Sequence, residues 1–170
     1  QSGGYACRVL DGGYAVLGTR NNGASFVRKF SAAGDSVWTY ASSWSGFVSA
    51  VIATNDSGCA IAGRMPDTIA DLGFIKVRQD GTEEWARFYE DPRVWATWAR
   101  NAAQTRDGGY IMCGDGNDYS GSYLRLARIN SSGDTLWVVL MPVQPAPPRP
   151  ARVSNTAHGA RWRWNNLMPR

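Results

Sequence analysis

Two short sequence elements each recur three times along the chain, and this repetition limits the fold more than any other feature. The first element begins with Asp and ends with Gly; its copies are Asp11–Gly18, Asp56–Gly63 and Asp107–Gly114, offset by 45 and 51 residues. The second is a Gly followed four residues later by a Trp, with offsets of 47 and 52; its copies are Gly34 with Trp38, Gly81 with Trp85, and Gly133 with Trp137. Because both elements repeat in step, we expect three copies of one structural unit.

Each unit is about 45 to 50 residues long, which is the length of one four-stranded propeller blade. Short runs of β-favouring residues between turn residues predict four strands per unit. The predicted strands cover residues 4–10, 13–18, 25–31 and 36–41, then 47–54, 58–63, 73–79 and 83–89, then 96–105, 109–114, 122–130 and 135–141. The predicted fold is an all-β propeller of four-stranded antiparallel blades at about 1–43, 44–92 and 93–141, followed by a tail at 142–170.

The composition agrees with this fold. The chain has 170 residues, of which 44% are hydrophobic and only 19% are charged, and it contains 19 Gly and eight Trp. This suits one core built from short strands and tight turns. The longest apolar run, Leu136 to Met141, is far shorter than the roughly 18 residues that a membrane span needs.

The last hairpin of each unit predicts which residues face each other across its strands. The dipeptides Ala33-Gly34, Asp80-Gly81 and Ser132-Gly133 fit two-residue loops, and Asp-Gly is the clearest type I′ sequence among them. Counting outward from these loops places Lys29 opposite Trp38, Lys76 opposite Trp85, and Arg128 opposite Trp137. We therefore expect one structural cation–π pair per blade, worth about 0.5 to 1 kcal/mol where it is exposed.

Together, the Asp-Gly-Gly-Tyr element, the apolar strand ending in a basic–apolar pair, and the Gly-x-x-x-Trp element resemble the repeats of secreted or cell-surface bacterial and archaeal β-propellers. The likeness covers residues 1–141. In kelch-type and related propellers the strand before the Gly-Gly element is innermost and the Trp strand is outermost, and the resemblance implies the same order here. Since such folds host many functions, the resemblance implies an architecture and an extracellular setting but no activity.

Three blades are fewer than the four to eight of a typical closed propeller. A wedge-shaped sheet needs a neighbour on both faces, so the first and third blades would each leave an apolar face open to association. Two copies related by a two-fold axis would complete six blades, whereas head-to-tail contacts without closure would build a fibre. The alternative explanation is that the sequence belongs to a longer propeller.

Residues 142–170 differ from the rest, since they contain six of the eight Pro and five Arg but no acidic residue. Residues 145–150 predict a stiff polyproline II segment. We expect the tail to dock on a neighbouring subunit or blade, by strand addition or by insertion of its Trp side chains. The residues expected to make these contacts are Arg149, Pro150, Arg161, Trp162, Arg163 and Trp164.

The tail also explains the net charge of +4, because residues 1–141 contain 13 basic and 14 acidic side chains. Nucleic-acid binding usually requires a basic stripe across the folded surface. We therefore do not expect nucleic acid as a partner.

The residue types that catalysis or metal binding requires do not converge in the sequence. His158 is the one histidine and lies in the tail. Asp115–Gly121 brings oxygen donors together, but its departures from an EF-hand loop leave turn chemistry as the better explanation. Three widely spaced Cys do not form a zinc motif, and we expect buried free thiols at Cys59 and Cys113. We expect no catalytic residue, no metal and no cofactor.

Trp95 and Trp98 lie outside the repeated Trp position, beside a segment that joins two blades. Exposed Trp side chains near loops can stack on sugar rings, and packing between blades is the other interpretation. We predict a non-catalytic extracellular or cell-surface structural protein that associates with copies of itself through open blade faces and its tail, as a ring or a filament. The alternative prediction is an extracellular module that binds a glycan or a surface protein.

Overall fold

Twelve β-strands make up the regular structure of the described residues. The computed structural model describes residues 6–21, 24–41, 47–64, 72–93, 96–118 and 121–143. The strands form three four-stranded antiparallel sheets, in which neighbours in sequence are neighbours in the sheet. Sheet 1 contains β1 (Ala6–Arg8), β2 (Tyr14–Thr19), β3 (Ser25–Phe30) and β4 (Ser36–Ala41); sheet 2 contains β5 (Phe47–Ala53), β6 (Cys59–Arg64), β7 (Leu72–Val77) and β8 (Glu83–Tyr89); sheet 3 contains β9 (Ala96–Gln104), β10 (Tyr110–Asp118), β11 (Gly121–Ile129) and β12 (Thr135–Pro142).

Each of the predicted strands has a counterpart, and the end of β10 differs most from the prediction. This strand was predicted to end at residue 114 but continues to Asp118 and pairs with β11 as far as Gly121. Of the segment Asp115–Gly121, predicted as a loop, residues 115–118 therefore belong to β10 and Gly121 begins β11. Strands β1 and β7 each end two residues early, and the predicted start of β1 at residue 4 lies outside the described residues.

The turns between the third and fourth strands also differ from the prediction. In sheet 1 the Ser31 amide donates a hydrogen bond to the Asp35 carbonyl at 2.8 Å, and the Gly34 amide donates to the Ser31 carbonyl at 3.0 Å. Three residues thus lie inside the loop, and within it Gly34 alone has a positive φ, of +93°. This is a type I turn followed by a left-handed Gly, so the predicted two-residue type I′ loop is wrong.

The predicted pairing across this hairpin is nevertheless confirmed in every sheet. A register shift after the turn places Phe30 opposite Ser36 but Lys29 opposite Trp38. The same shift places Lys76 opposite Trp85, and Arg128 opposite Trp137. The extra residue of this β-bulge compensates for the extra residue of the turn, so the register agrees with the prediction.

The Asp-Gly-Gly element forms the turn between the first and second strands of each sheet. A Cβ at its second Gly would lie 2.3 to 2.4 Å from a carbonyl oxygen of the third strand; the positions are Gly13 against Phe30, Gly58 against Val77, and Gly109 against Ile129. No side chain fits there, which explains why Gly occupies this position in all three copies. The first Gly of the element can be replaced by another residue. In the second copy this position is Ser57, which has a φ of +62°.

The sheets pack face to face in chain order, with sheet 2 in the middle. Strands β6 and β7 are buried on both faces, whereas β4 and β12 are mostly exposed. One apolar cluster lies between sheets 1 and 2 and includes Leu17, Val27, Ile61 and Ile75. A second lies between sheets 2 and 3 and includes Leu72, Phe74, Tyr110 and Met112. Contacts between sheets are densest along the first strands, so the sheets converge at that edge and diverge at the other.

Cys7, Cys59 and Cys113 are all free thiols. Cys59 is fully buried as predicted, and this burial raises the pKa of its thiol to about 12. Cys113 is only partly buried. No helix among the described residues is long and apolar enough to span a membrane.

Candidate functional site

An acidic and a basic residue form an ion pair at the same position of every sheet. The Lys76 ammonium nitrogen lies 2.6 Å from Asp56 Oδ2. Lys29 pairs in the same way with Asp11, and Arg128 Nη2 lies 2.6 Å from Asp107 Oδ2. Both Lys side chains are only 5% exposed. Because a buried ammonium needs an opposite charge, the Asp of the first turn neutralises the cation of the third strand.

Hydrogen bonds keep these carboxyl groups in their charged form. The bond from Lys29 is the main reason that the pKa of Asp11 is lowered, and the bond from Thr105 is the main reason for Asp107. For Asp56, burial alone would raise the pKa, but the bonds from Lys76 and Thr54 and the other contacts together lower it.

The predicted cation–π pairs are not among the cation–ring contacts of the described residues. Those contacts join Arg28 to Phe26, and Arg64 and Arg100 to Trp98. The basic residues of the predicted pairs lie opposite their Trp in register, but their charges bind carboxylates. The register agrees with the prediction, and each cation contacts a carboxylate, which is a stronger partner for a cation than an indole ring.

The repeated Trp instead packs on the next sheet. A Cβ at Gly81 would lie 2.8 Å from Trp38 Cγ, and one at Gly133 would lie 3.0 Å from Trp85 Cζ3. The Trp38 indole nitrogen also donates to the Gln79 carbonyl at 2.8 Å. Trp38 and Trp85 therefore each cover the hairpin Gly of the sheet that follows. The Gly-x-x-x-Trp repeat contains both residue types of this contact. The sequence does not indicate, however, that the Trp of one unit contacts the Gly of the next unit.

The counterparts of these residues at the two ends of the stack are uncovered in the described structure. A Cβ at Gly34 would meet nothing within 4 Å. Trp137 is 44% exposed, although Trp38 and Trp85 are partly buried. Sheet 1 thus presents a hairpin Gly without a Trp, and sheet 3 presents a Trp without a hairpin Gly.

Apolar residues surround both uncovered positions. We call the outer side of sheet 1 the leading face, formed by Tyr14, Val16, Phe26, Phe30 and the exposed Arg28. We call the outer side of sheet 3 the trailing face, formed by Leu124, Leu126, Trp137, Val139 and Met141. Tyr14 is 45% exposed, whereas Cys59 and Tyr110 at the same repeat position are 0% and 2% exposed. Leu124 is 41% exposed, whereas its counterpart Leu72 is 1% exposed. Equivalent positions therefore differ in exposure according to whether a neighbouring sheet covers them.

A charged cleft of about 500 Å³ opens beside the turns of sheet 2 and is lined by Asp56, Arg78, Gln79, Asp80 and Glu84. Glu84 lies 3.7 Å from Lys76 and 3.9 Å from Arg78. Asp80 accepts hydrogen bonds from Thr82. Within the described ranges, no three acidic, His or Cys side chains are grouped closely enough to hold a metal ion. The charged side chains of the cleft contact one another or the residues of its turns.

Trp98 lies where sheets 2 and 3 meet. The Arg64 guanidinium lies 4.6 Å from the centre of its ring, and the Phe47 ring lies 6.1 Å away. Arg100 approaches the same ring at 5.9 Å and is paired with Asp115. These contacts favour the packing interpretation of Trp98 over stacking on a sugar.

Several predicted contact residues lie outside the described part of the chain. These are Trp95 and the tail residues Arg149, Pro150, Arg161, Trp162, Arg163 and Trp164. Their predicted roles therefore stay predictions.

Comparison with known proteins informs the fold only. No family model matches the sequence, and neither does any curated protein. Among solved structures, the chain is similar to a protein of unknown function from Bacteroides caccae, with a TM-score of 0.50 and 14% identity over 81% of this chain. The chain spans 45% of the length of that protein. This likeness supports an all-β arrangement of antiparallel sheets.

Proposed function

We propose that the protein is a non-catalytic structural module of the propeller type, which associates with copies of itself through its leading and trailing faces. The observation that carries this proposal is the exposure of Tyr14 and Leu124 at repeat positions that are buried elsewhere in the chain. Burying apolar surface stabilises an assembly by about 25 cal/mol per Å². Covering the two faces with a further sheet would therefore favour association.

The arrangement of the sheets supports the propeller part of the proposal. The three sheets are closest along β1, β5 and β9 and diverge towards the Trp strands, as the blades of a propeller do. The resemblance of the repeats to those of secreted propellers supports an extracellular or cell-surface location. The tail is proposed to act as a connector between copies.

The proposal is tested by measuring the native mass of the full chain with light scattering over a range of micromolar concentrations. We expect a mass above that of one chain. Tyr14→Asp and Leu124→Asp each place a charge on one uncovered face and should reduce this mass. Phe88→Asp is the matched control, because Phe88 is 44% exposed on the outer strand of the middle sheet.

A wild-type chain that stays monomeric throughout this range contradicts the proposal. Equal effects of all three charges would show that association does not depend on the leading and trailing faces. Circular dichroism melting of each variant separates loss of association from loss of folding.

A further inference from the structure

We infer that Trp137 of one copy packs on the hairpin Gly34 of a second copy, and that two copies joined at both ends close a ring of six sheets. This inference rests on the proposed self-association and specifies its contact.

The chain contains the template for this contact twice. Trp38 covers Gly81 of the next sheet, and Trp85 covers Gly133 of the next sheet. The uncovered Trp137 and the uncovered Gly34 are the remaining members of the same two repeat positions. One copy therefore carries both halves of a third contact of the same kind, on opposite ends of the stack.

The receiving turn is already in the required conformation. Gly34 has a φ of +93°, close to the +88° of Gly81 and the +86° of Gly133. The two internal contacts share the packing of the ring on the hairpin Gly and not the hydrogen bonding, because the Trp38 indole donates to the Gln79 carbonyl whereas the Trp85 indole nitrogen has no hydrogen-bond partner among the described residues. Association requires no rearrangement of this loop, which lowers its entropic cost.

The surfaces around the contact agree with it. Leu124, Val139 and Met141 on the trailing face are between 39% and 42% exposed, and they extend the apolar surface around Trp137. The leading face offers the aromatic residues Tyr14, Phe26 and Phe30, with the Arg28 guanidinium 6.0 Å from the centre of the Phe26 ring. A large ring set among apolar side chains is the usual composition of an energetic centre in an interface.

The closure with two copies follows from the number of sheets. The contact joins different surfaces of the two copies, so it is head-to-tail and gives either a ring or an open fibre. Two copies supply six sheets, which lies within the four to eight blades of closed propellers, whereas three copies would supply nine.

The test compares the dissociation constants of Trp137→Ala and Gly34→Asn with that of the wild type, measured by analytical ultracentrifugation. Asn tolerates a positive φ, and its side chain meets open space in a single copy but collides with a docked Trp. Loss of a central Trp weakens an interface about tenfold or more. Because a ring has two such contacts, each variant should bind about 100-fold more weakly than the wild type.

Matched controls isolate the contact. Phe88→Ala removes an aromatic side chain that is 44% exposed, as Trp137 is, but lies on neither uncovered face. Gly12→Asn alters another Gly with a φ of +89° and open space around it, in the first turn of sheet 1. Both controls should retain wild-type association.

Mixing the two variants provides the decisive measurement. A pair of one Trp137→Ala chain and one Gly34→Asn chain restores one intact contact, so the mixture should associate more tightly than either variant alone. No gain on mixing, or unchanged association of the single variants, overturns the inference even when the wild type associates. Particles larger than two chains overturn the closed ring, and a monomeric wild type overturns the proposed function as well.

Discussion

At the scale of single residues, the recurrent feature is a buried cation held by the Asp of the first turn. The Lys76 side chain is 5% exposed and pairs with Asp56 at 2.6 Å, whereas Glu84 lies 3.7 Å away. The Asp56 side chain is 48% exposed, so water weakens the pair relative to a fully buried one. The ion pair therefore mainly offsets the free-energy cost of burying the Lys76 ammonium group, and it adds little net stability.

Asp56→Asn should lower the free energy of unfolding by about 2 kcal/mol, because it leaves the Lys76 ammonium without its nearest opposite charge. Adding Lys76→Met should recover part of that loss, since the uncompensated charge is then removed. Urea denaturation at neutral pH measures both variants. A double variant no more stable than Asp56→Asn would show that the buried charge is not the cause.

Asp91 gives a prediction for the dependence of stability on pH. Its side chain is 5% exposed, and the hydrogen bond from Arg93 is the main reason that its pKa is lowered. A lowered pKa in the folded state stabilises the protein above the unfolded value of about 3.9, and this contribution is lost as the pH falls through the folded value.

Asp91→Asn should therefore lower the free energy of unfolding by about 1 kcal/mol at pH 7, and the difference from wild type should shrink below about pH 4. Chemical denaturation at a series of pH values measures this difference. A difference that stays constant down to pH 2.5 would mean that the Asp91 charge contributes nothing.

At the scale of elements, the hairpin between the third and fourth strands shows how local and long-range constraints combine. The turn has one residue more than the two-residue loop that its Asp-Gly sequence suggests, and the bulge after it restores the register. The apolar alternation of both strands fixes which side chains face the neighbouring sheets, and a slip by one residue would reverse every one of them.

Gly81→Ala and Gly34→Ala form a matched pair at this element. Both positions have a φ near +90°, so both substitutions carry the same backbone strain. At Gly81 alone the new Cβ meets a ring, that of Trp38 at 2.8 Å. Gly81→Ala should therefore lower the free energy of unfolding by about 1 to 2 kcal/mol more than Gly34→Ala, measured at a concentration where the chain is monomeric. Equal losses would mean that the Trp38 ring moves aside without cost.

At the scale of the whole molecule, the middle sheet alone is covered on both faces. Its residues Ile61 and Phe74 lie in different apolar clusters, one towards each neighbouring sheet. Sheets 1 and 3 each have one such neighbour in the described structure. The repeat thus forms two buried interfaces between sheets within the chain, and it leaves the leading face and the trailing face uncovered at the two ends of the stack.

Removing residues 144–170 tests the proposed connector. The shortened chain keeps all twelve strands and both uncovered faces. We expect it to associate more weakly than the full chain, and the loss should be smaller at high salt because the tail contains five Arg. Sedimentation of both chains at two salt concentrations measures this. Identical association of the two chains would show that the tail is passive.

The strands, their order and their pairing were predictable from the sequence because they depend on neighbouring residues. The alternation along each strand and the turn residues between strands placed Lys29 opposite Trp38 before any tertiary contact was known. The tertiary structure alone decided where those side chains go: Lys29 to Asp11, and Trp38 to Gly81 of the next sheet. It also decided that Tyr14 is exposed while Tyr110 is buried, since the exposure of a repeat position depends on how the sheets stack. The repeat specifies the same apolar faces in every unit, and only packing determines which of them remain uncovered.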